Sequence, residues 1–440
     1  MSILTEDPFW RNILTGMQIH AVGHVTNGYL PRPSILQTTR MKHVGSPEKL
    51  VMVRYGELFL KSESVKHHFI GMLLRNIGKA LSASALAYHY ETPRGRILIY
   101  GDNLEKIAEV VSRIFGLVDV SICTRTSTRL EDICTEAISR ASANLYEGMS
   151  FAVRAKRQQK TGLNSQELGT LIGSAIYDHI PGLHVDLDNP DYELFVEIRD
   201  FGGLVYDSRM AAPGGLPWGT QGRVLALLSS GIDSPIASWL MMKRGCEITH
   251  LHLDAGKWAG KDVTPAAIEN HRRLSRWCSG NPLSLVIANS ELLYDRMDQL
   301  RIPPRYRCVI CKRFMLRVAG QLMEKEGALA VVTGENLGQV ASQTLANLSV
   351  ISEAVTVAVL RPLITYDKEE TITLARRIGT FDAHPGDLVC RAVPNMPATA
   401  AVLATVKGSE KKIDIDEILR KTLSELRFVT ALNCEILKEA

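Results

Sequence analysis

The sequence predicts an α/β protein in which a doubly wound parallel sheet follows two smaller α/β units. Three observations carry this reading. From residue 224 onward short apolar runs alternate with helix-patterned segments, as parallel strands joined by crossover helices do. Residues 50–124 follow the order strand, helix, strand, strand, helix, strand. The stretch Ala212-Pro-Gly-Gly-Leu-Pro-Trp-Gly219 is a Pro/Gly linker that sets the largest unit apart. With 440 residues, 45% hydrophobic and 22% charged, the chain has ordinary globular composition and length for several domains.

Residues 1–46 read as an irregular leader with Trp10 and a turn at Pro31 and Pro33; Met41 is an alternative start. The unit at 47–125 has strand 50–57, helix 65–81, strands near 86–90 and 96–100, helix 104–115 and strand 118–124, a ferredoxin-like βαββαβ order. The unit at 126–212 has helix 130–146, strand 151–156, helix 166–179 and strands 193–198 and 203–207. Its first strand runs into Arg154, Lys156, Arg157 and Lys160, either a phosphate-contacting ridge or a solvated strand end. The net charge of +4 permits a polyanionic partner without requiring one. No run of eighteen apolar residues and no signal-peptide pattern occurs, so a cytosolic protein with no membrane association is expected.

The unit at 213–440 reads as strand 224–228, helix 235–244, strand 247–253, helix 265–278, strand 283–288, helix 309–325, strand 328–333, helix 338–348, strand 357–360 and helix 369–378. Asp367 and Glu370 form a capping box at the last of these, Gly379 ends it, and a charged helix is expected from Gly408. The loop Ser229-Ser230-Gly231-Ile232-Asp233-Ser234-Pro235 joins the first strand to the first helix. Backbone N–H groups and the positive end of a helix dipole meet there, so phosphate or pyrophosphate is the natural occupant. Ser234 or Asp233 can cap the helix, Pro235 suits its first turn and Gly245 closes it. The G-x-x-x-x-G-K-[ST] and G-x-G-x-x-G patterns are absent.

The loop resembles the S-G-G-x-D-S PP-loop of ATP pyrophosphatases, with Ser230 in place of the middle glycine: strained if φ is positive, an extra hydroxyl in the cradle if not. Further stretches, Val53-Arg-Tyr-Gly-Glu-Leu-Phe-Leu-Lys61, Val153-Arg-Ala-Lys-Arg157, Val196-Glu-Ile-Arg-Asp200, Thr333-Gly-Glu335, Gly338-Gln-Val-Ala-Ser-Gln-Thr344 and Leu360-Arg-Pro-Leu363, extend this to a resemblance to the ThiI family of tRNA 4-thiouridine synthetases. The resemblance implies a ferredoxin-like domain, a tRNA-binding THUMP domain and a PP-loop domain that uses ATP and magnesium to adenylate O4 of uridine 8 before sulfur replaces that oxygen. It puts ATP contacts at Leu227, Leu228, Ser229, Ser230, Gly231, Ser234, His252, Leu253, Lys312, Gly334 and Gln343. Asp233 takes the acidic position of the loop, and Lys368 matches a lysine near the phosphates. Taken alone, His252 reads as a satisfied strand-end histidine and Lys368 as a solvated residue. The resemblance also suggests a homodimer, and leaves a role in thiazole synthesis open.

Cys308-Val-Ile-Cys311 opens a helix beside Lys312 and Arg313, a setting that favours thiolate. On its own, C-x-x-C is half a zinc site, a redox pair or half an iron–sulfur site. Cys390 falls where many family members carry a sulfur-receiving or resolving cysteine. The resemblance is to the archaeal-type branch, which has C-x-x-C and no rhodanese domain. It implies a 4Fe–4S cluster on Cys308, Cys311 and Cys390, with one iron open to hydrosulfide from inorganic sulfide or a donor protein. Persulfide relay through the same cysteines and a tRNA-binding protein without catalysis are the alternatives. Cys123, Cys134, Cys246, Cys278 and Cys434 are expected to be buried structural thiols.

Overall fold

The structure, a computed structural model, describes residues 47–56, 62–158, 163–381 and 386–439. The expected leader, Lys61 and Lys160 lie outside the described residues.

Two sheets organise the described chain. The first has nine strands: β1 (Glu48–Tyr55), β2 (His89–Glu91), β3 (Ile97–Tyr100), β4 (Leu117–Thr126), β5 (Ser150–Arg157), β6 (His184–Val185), β7 (Tyr192–Arg199), β8 (Gly202–Tyr206) and β9 (Met210–Ala211). The path is β2-β3-β1-β4-β8-β7-β5-β6, with β9 also on β4. Helices α1 (Glu63–Ala83) and α2 (Leu104–Val111) pack on the β1–β4 part, and α3 (Leu130–Ser142) and α4 (Ser165–His179) on the part that follows. β4 pairs with β1 along Leu117–Arg125 and with β8 along Thr124–Thr126, so a single long strand makes the two small units one surface.

The second sheet has β10 (Arg223–Leu227), β11 (Glu247–Asp254), β12 (Leu283–Asn289), β13 (Ala328–Val332), β14 (Val359–Leu360), β15 (Leu426–Leu432) and β16 (Glu435–Glu439), in the order β14-β13-β10-β11-β12-β15-β16. Its first five strands are parallel, and β15 and β16 add an antiparallel hairpin at one edge. Helix α5 (Asp233–Lys243) follows β10, α6 (Val263–Leu274) follows β11, and α7 (Glu291–Gln299) and α8 (Arg307–Glu326) follow β12. After β13 come α9 (Leu345–Ser352), α10 (Lys368–Ile378), α11 (Leu403–Ile413) and α12 (Ile415–Ser424). β10 has β11 on one side and β13 on the other, so the chain reverses its winding there and opens a crevice at the carboxyl ends of the two strands.

Phe115 fastens the smaller units to the second sheet. It is fully buried, with its ring 5.4 Å from Trp239 and 5.9 Å from Trp277. Asn76 Nδ2 donates to the Trp218 carbonyl at 3.0 Å and Lys79 Nζ to Asn281 at 2.6 Å.

Four sequence expectations need correction. Helix 104–115 stops at Val111, which frees Phe115 to reach the other domain. Residues 338–344 are a loop and one 3-10 turn, Ala341–Gln343, with Gly338 at a positive φ, and the helix, α9, starts only at Leu345. The tail is two helices and a hairpin rather than one charged helix, and polar α7 was not foreseen. Neither Ser234 nor Asp233 caps α5: Ile232 holds the cap position, and Asp233 is the first helical residue.

Candidate functional site

The loop after β10 lies at the reversal point. Its shape comes from its own hydroxyls: Ser234 Oγ accepts the Ser229 N–H at 2.8 Å and lies 2.9 Å from Ser229 Oγ, which accepts the Gly231 N–H at 3.3 Å. Asn270 of α6, unmarked by any sequence motif, donates Nδ2 to the Ser229 and Gly231 carbonyls at 3.1 and 3.4 Å. Ser230 is not among the residues with positive φ, so it carries a hydroxyl into the loop without backbone strain. Gly334, after β13, closes the crevice from the other side. A Cβ there would stand 2.7 Å from the Ser234 backbone nitrogen, so only glycine permits this approach.

Charged groups ring the loop. Lys368 Nζ lies 3.4 Å from Asp233 Oδ1, and Gln339 Nε2 lies 3.5 Å from Oδ2. Lys312 reaches buried Glu335 at 3.1 Å; Glu335 also binds Arg361 at 2.7 Å and accepts from Thr333 Oγ1 at 3.1 Å. Burial would raise the Glu335 carboxyl, but Lys312 and Arg361 overcome it and hold its pKa below the usual range. Leu227 ends β10 and Leu228 follows it, and His252 and Leu253 lie near the end of β11. The His252 ring is satisfied, with Nδ1 2.9 Å from the Leu228 carbonyl and Nε2 3.1 Å from Thr264 Oγ1, so its side chain matches the strand-end reading. Gln343 Oε1 is buried with no partner among the described residues, an acceptor that a bound amino group would satisfy.

The cysteines gather on the same domain. Cys308 and Cys311 lie in the first turns of α8, next to Lys312. Cys390 arrives on a segment that pairs with residues 258–260: Cys390 bridges Ala259, the Arg391 N–H donates to the Trp258 carbonyl at 2.8 Å and the Gly260 N–H to the Val389 carbonyl at 2.8 Å. The three thiols are near enough that Cys390 raises the pKa of both others. The expected thiolate character is not found in the free thiols. Burial dominates, pushing Cys308 up and Cys311 to about 12, while Lys312 pulls the other way. Cys390 is exposed. Among the described residues no three His, Cys, Asp or Glu side chains stand close enough to share a single ion. A four-iron cluster binds one thiolate per iron and spaces its ligands more widely, so three neighbouring thiols suit a cluster as a donor set. Of the remaining cysteines, Cys123, Cys246 and Cys278 are buried as expected. Cys134 is half-buried, and Cys434 is a hairpin-turn residue at φ +68° whose Sγ accepts from Arg276 Nε at 3.3 Å.

The basic ridge divides between two faces. Val153 and Ala155 pack under the helices, so Arg154 and Lys156 point to the open face while Arg157 turns to the helix side, its Nη1 3.2 Å from the Leu163 carbonyl. On the open face Arg154, Lys156, Phe195 and Arg209 line a depression of 740 Å³ together with Asp191, Glu193 and Asp207, and Arg154 pairs with Glu193 at 2.8 Å. The Arg209 guanidinium lies 4.1 Å over the Phe195 ring, and Phe195 stacks on Tyr206 at 5.2 Å. Nearby Glu197 is buried beneath Arg96 and Arg199, at 2.8 and 2.7 Å; these cations outweigh its burial and hold its carboxyl down to about 2. The strand period of two would have split the ridge; Arg209 lies too far along the chain to be seen with it.

The chain matches three family models in order: the ThiI ferredoxin-like domain over residues 50–121, the THUMP domain over 127–206 and the thiamine biosynthesis protein ThiI over 219–415. A protein of Methanothermobacter thermautotrophicus called a probable tRNA sulfurtransferase is 38% identical over 84% of this chain and 94% of its own length. A protein of Moorella thermoacetica with the same description is 37% identical over 86% of this chain and 97% of its own. A solved 4-thiouridine synthetase–RNA complex with bound ATP is 30% identical, covers 87% of this chain and 99% of its own, and has a TM-score of 0.75. Among the described residues no helix is long and apolar enough to cross a membrane. With this order of domains, on these two sheets and with this loop at the reversal point, the chain belongs to the ThiI family.

Proposed function

We propose that the protein is an ATP-dependent tRNA sulfurtransferase that makes 4-thiouridine at position 8 of tRNA. The observation that carries the mechanism is the shared helix α8: its first turns hold Cys308 and Cys311, and the adjoining Lys312 reaches Glu335 beside the loop-closing Gly334. Sulfur chemistry and nucleotide chemistry are thereby one helical turn apart. ATP phosphates lie on Ser229–Ser234 with Lys368 and Lys312 as counter-charges, Asp233 holds magnesium, and Gln343 accepts from the purine amino group. Uridine O4 attacks the α-phosphate and pyrophosphate leaves; sulfur then attacks C4 and AMP leaves with the original oxygen. Cys308, Cys311 and Cys390 hold the sulfur-delivery centre. A 4Fe–4S cluster held by these three thiolates would supply a thiophilic metal centre for sulfide-level sulfur there. The chain's own part is to keep Cys390 exposed and Cys311 half-buried against the core. Residues 126–212 present the acceptor tRNA through Arg154, Lys156 and Arg209, and a homodimer lets one subunit serve the other's loop.

Unstrained Ser230 removes the motive for a non-catalytic PP-loop. The test is anaerobic incubation with tRNA, ATP, magnesium and sulfide, following pyrophosphate release and 4-thiouridine absorbance. Asp233→Ala should lose both signals, and Cys390→Ala only the second. Release of pyrophosphate by Asp233→Ala at the wild-type rate would overturn the loop assignment. Iron and acid-labile sulfide analysis separates cluster from persulfide relay.

A further inference from the structure

Tyr294 meets the cysteine site from within the protein. Its hydroxyl lies 2.8 Å from Cys311 Sγ, and the residue is only 6% exposed. Its ring stacks on Trp258 at 6.1 Å between centroids. Trp258 is itself held: Nε1 donates to Asp295 at 2.8 Å, the Arg307 guanidinium sits 5.5 Å over its ring, and its carbonyl accepts the N–H of Arg391, the residue after Cys390. One aromatic pair therefore touches both halves of the site, the helix with Cys311 and the segment with Cys390.

While Cys311 is a thiol, either partner can donate. Once its sulfur is a thiolate or bound to a metal it has no proton to give, and the phenol becomes the donor. We propose that Tyr294 is a positioning residue that donates a hydrogen bond to the Cys311 sulfur and makes the centre asymmetric, with half-buried Cys311 as the anchor tied to the core through Tyr294 and Cys390 as the exposed sulfur facing the substrate. This rests on the three cysteines being the sulfur-delivery site. A hydrogen bond to a ligand sulfur stabilises the more negative, reduced state of an iron–sulfur centre, so the phenol raises the midpoint potential.

Tyr294→Phe keeps the ring and its stack on Trp258 and removes only the hydroxyl. In anaerobically purified protein that holds iron, the variant should keep its iron, show a lower midpoint potential and form 4-thiouridine several-fold more slowly. Retained iron with an unchanged potential overturns the proposal. A second measurement needs no iron: the infrared S–H stretch of Cys311 in chelator-treated protein, identified by its loss in Cys311→Ser, should shift in Tyr294→Phe. An unmoved band overturns the proposal too, and this measurement decides if the variant loses iron. Wild-type protein without iron under strict anaerobiosis would refute the cluster reading, while the infrared band would still show whether the hydrogen bond exists.

Discussion

The PP-loop and the cysteine site share a domain but are built in opposite ways. The loop is one contiguous stretch, shaped by hydroxyls of its own residues and by the backbone of Gly334. The cysteine site joins a helix start to a distant segment, and an aromatic stack with an arginine holds them together. Backbone contacts have fixed geometry and tolerate no added atom, whereas side-chain contacts give way by degrees. The nucleotide end should therefore fail abruptly when altered and the sulfur end gradually.

Gly334→Ala is the strongest test of the abrupt case. The new Cβ would stand 2.7 Å from the Ser234 nitrogen and 2.9 Å from the Asp233 carbonyl carbon, both backbone atoms, so the loop itself must move. A displacement of about 1 Å costs roughly a hundredfold in a positioned reaction. Pyrophosphate release dependent on tRNA should fall by about that factor, with iron content unchanged. A wild-type rate would mean that the loop yields as easily as side chains do, and the contrast would collapse.

Arg391→Ala tests the gradual case. Its Nη1 donates to the Ala259 carbonyl at 2.7 Å and its Nη2 pairs with Asp387, which pins the segment carrying Cys390. A charged hydrogen bond is worth about 1.5–3 kcal/mol, less here because the side chain is half-exposed, so 4-thiouridine formation should drop roughly tenfold. Pyrophosphate release should not change. Loss of both activities would show that the two sites are mechanically one.

The same contrast explains what could be read from the chain. The PP-loop was legible because strand, small-residue loop and helix are adjacent in sequence, and Gly334 because Thr333-Gly-Glu335 follows a strand end. Asn270, Trp258 and Tyr294 were not, since an asparagine or an aromatic residue in a helix or turn carries no pattern until the fold sets it beside its partner. Local thiolate signals around Cys308 and Cys311 misled, because desolvation depends on the packed core and sequence shows only neighbours. The hairpin of β15 and β16 was missed for a related reason: exposed β16 has no apolar alternation to reveal it.

The last comparison is of acid stability and concerns the ground behind the PP-loop. His250 of β11 and His271 of α6 are both fully buried, with their Nδ1 atoms 2.9 Å apart, and His271 follows the Asn270 that holds the loop carbonyls. Burial lowers both rings' pKa values, that of His271 to about 3 and that of His250 well below its ordinary 6.5, with the His271 charge adding to the latter. The unfolded chain takes up protons near 6.5, while in the native fold His271 refuses its proton until near 3 and His250 titrates well below 6.5, so below 6.5 the unfolded state holds more. Stability is therefore full above about pH 6.5 and is lost as pH falls below it, by about 1.4 kcal/mol per pH unit at most for His271. Denaturation midpoints between pH 7 and 4 should fall steeply in wild type and less steeply in His271→Gln, which removes one proton-binding site. Hydrogen exchange at pH 5 should loosen α6 and the PP-loop before the start of α8, because Asn270 sits beside the pair and the cysteines do not. If α8 loosens first, acid sensitivity belongs to the sulfur end and the PP-loop is the sturdier of the two sites.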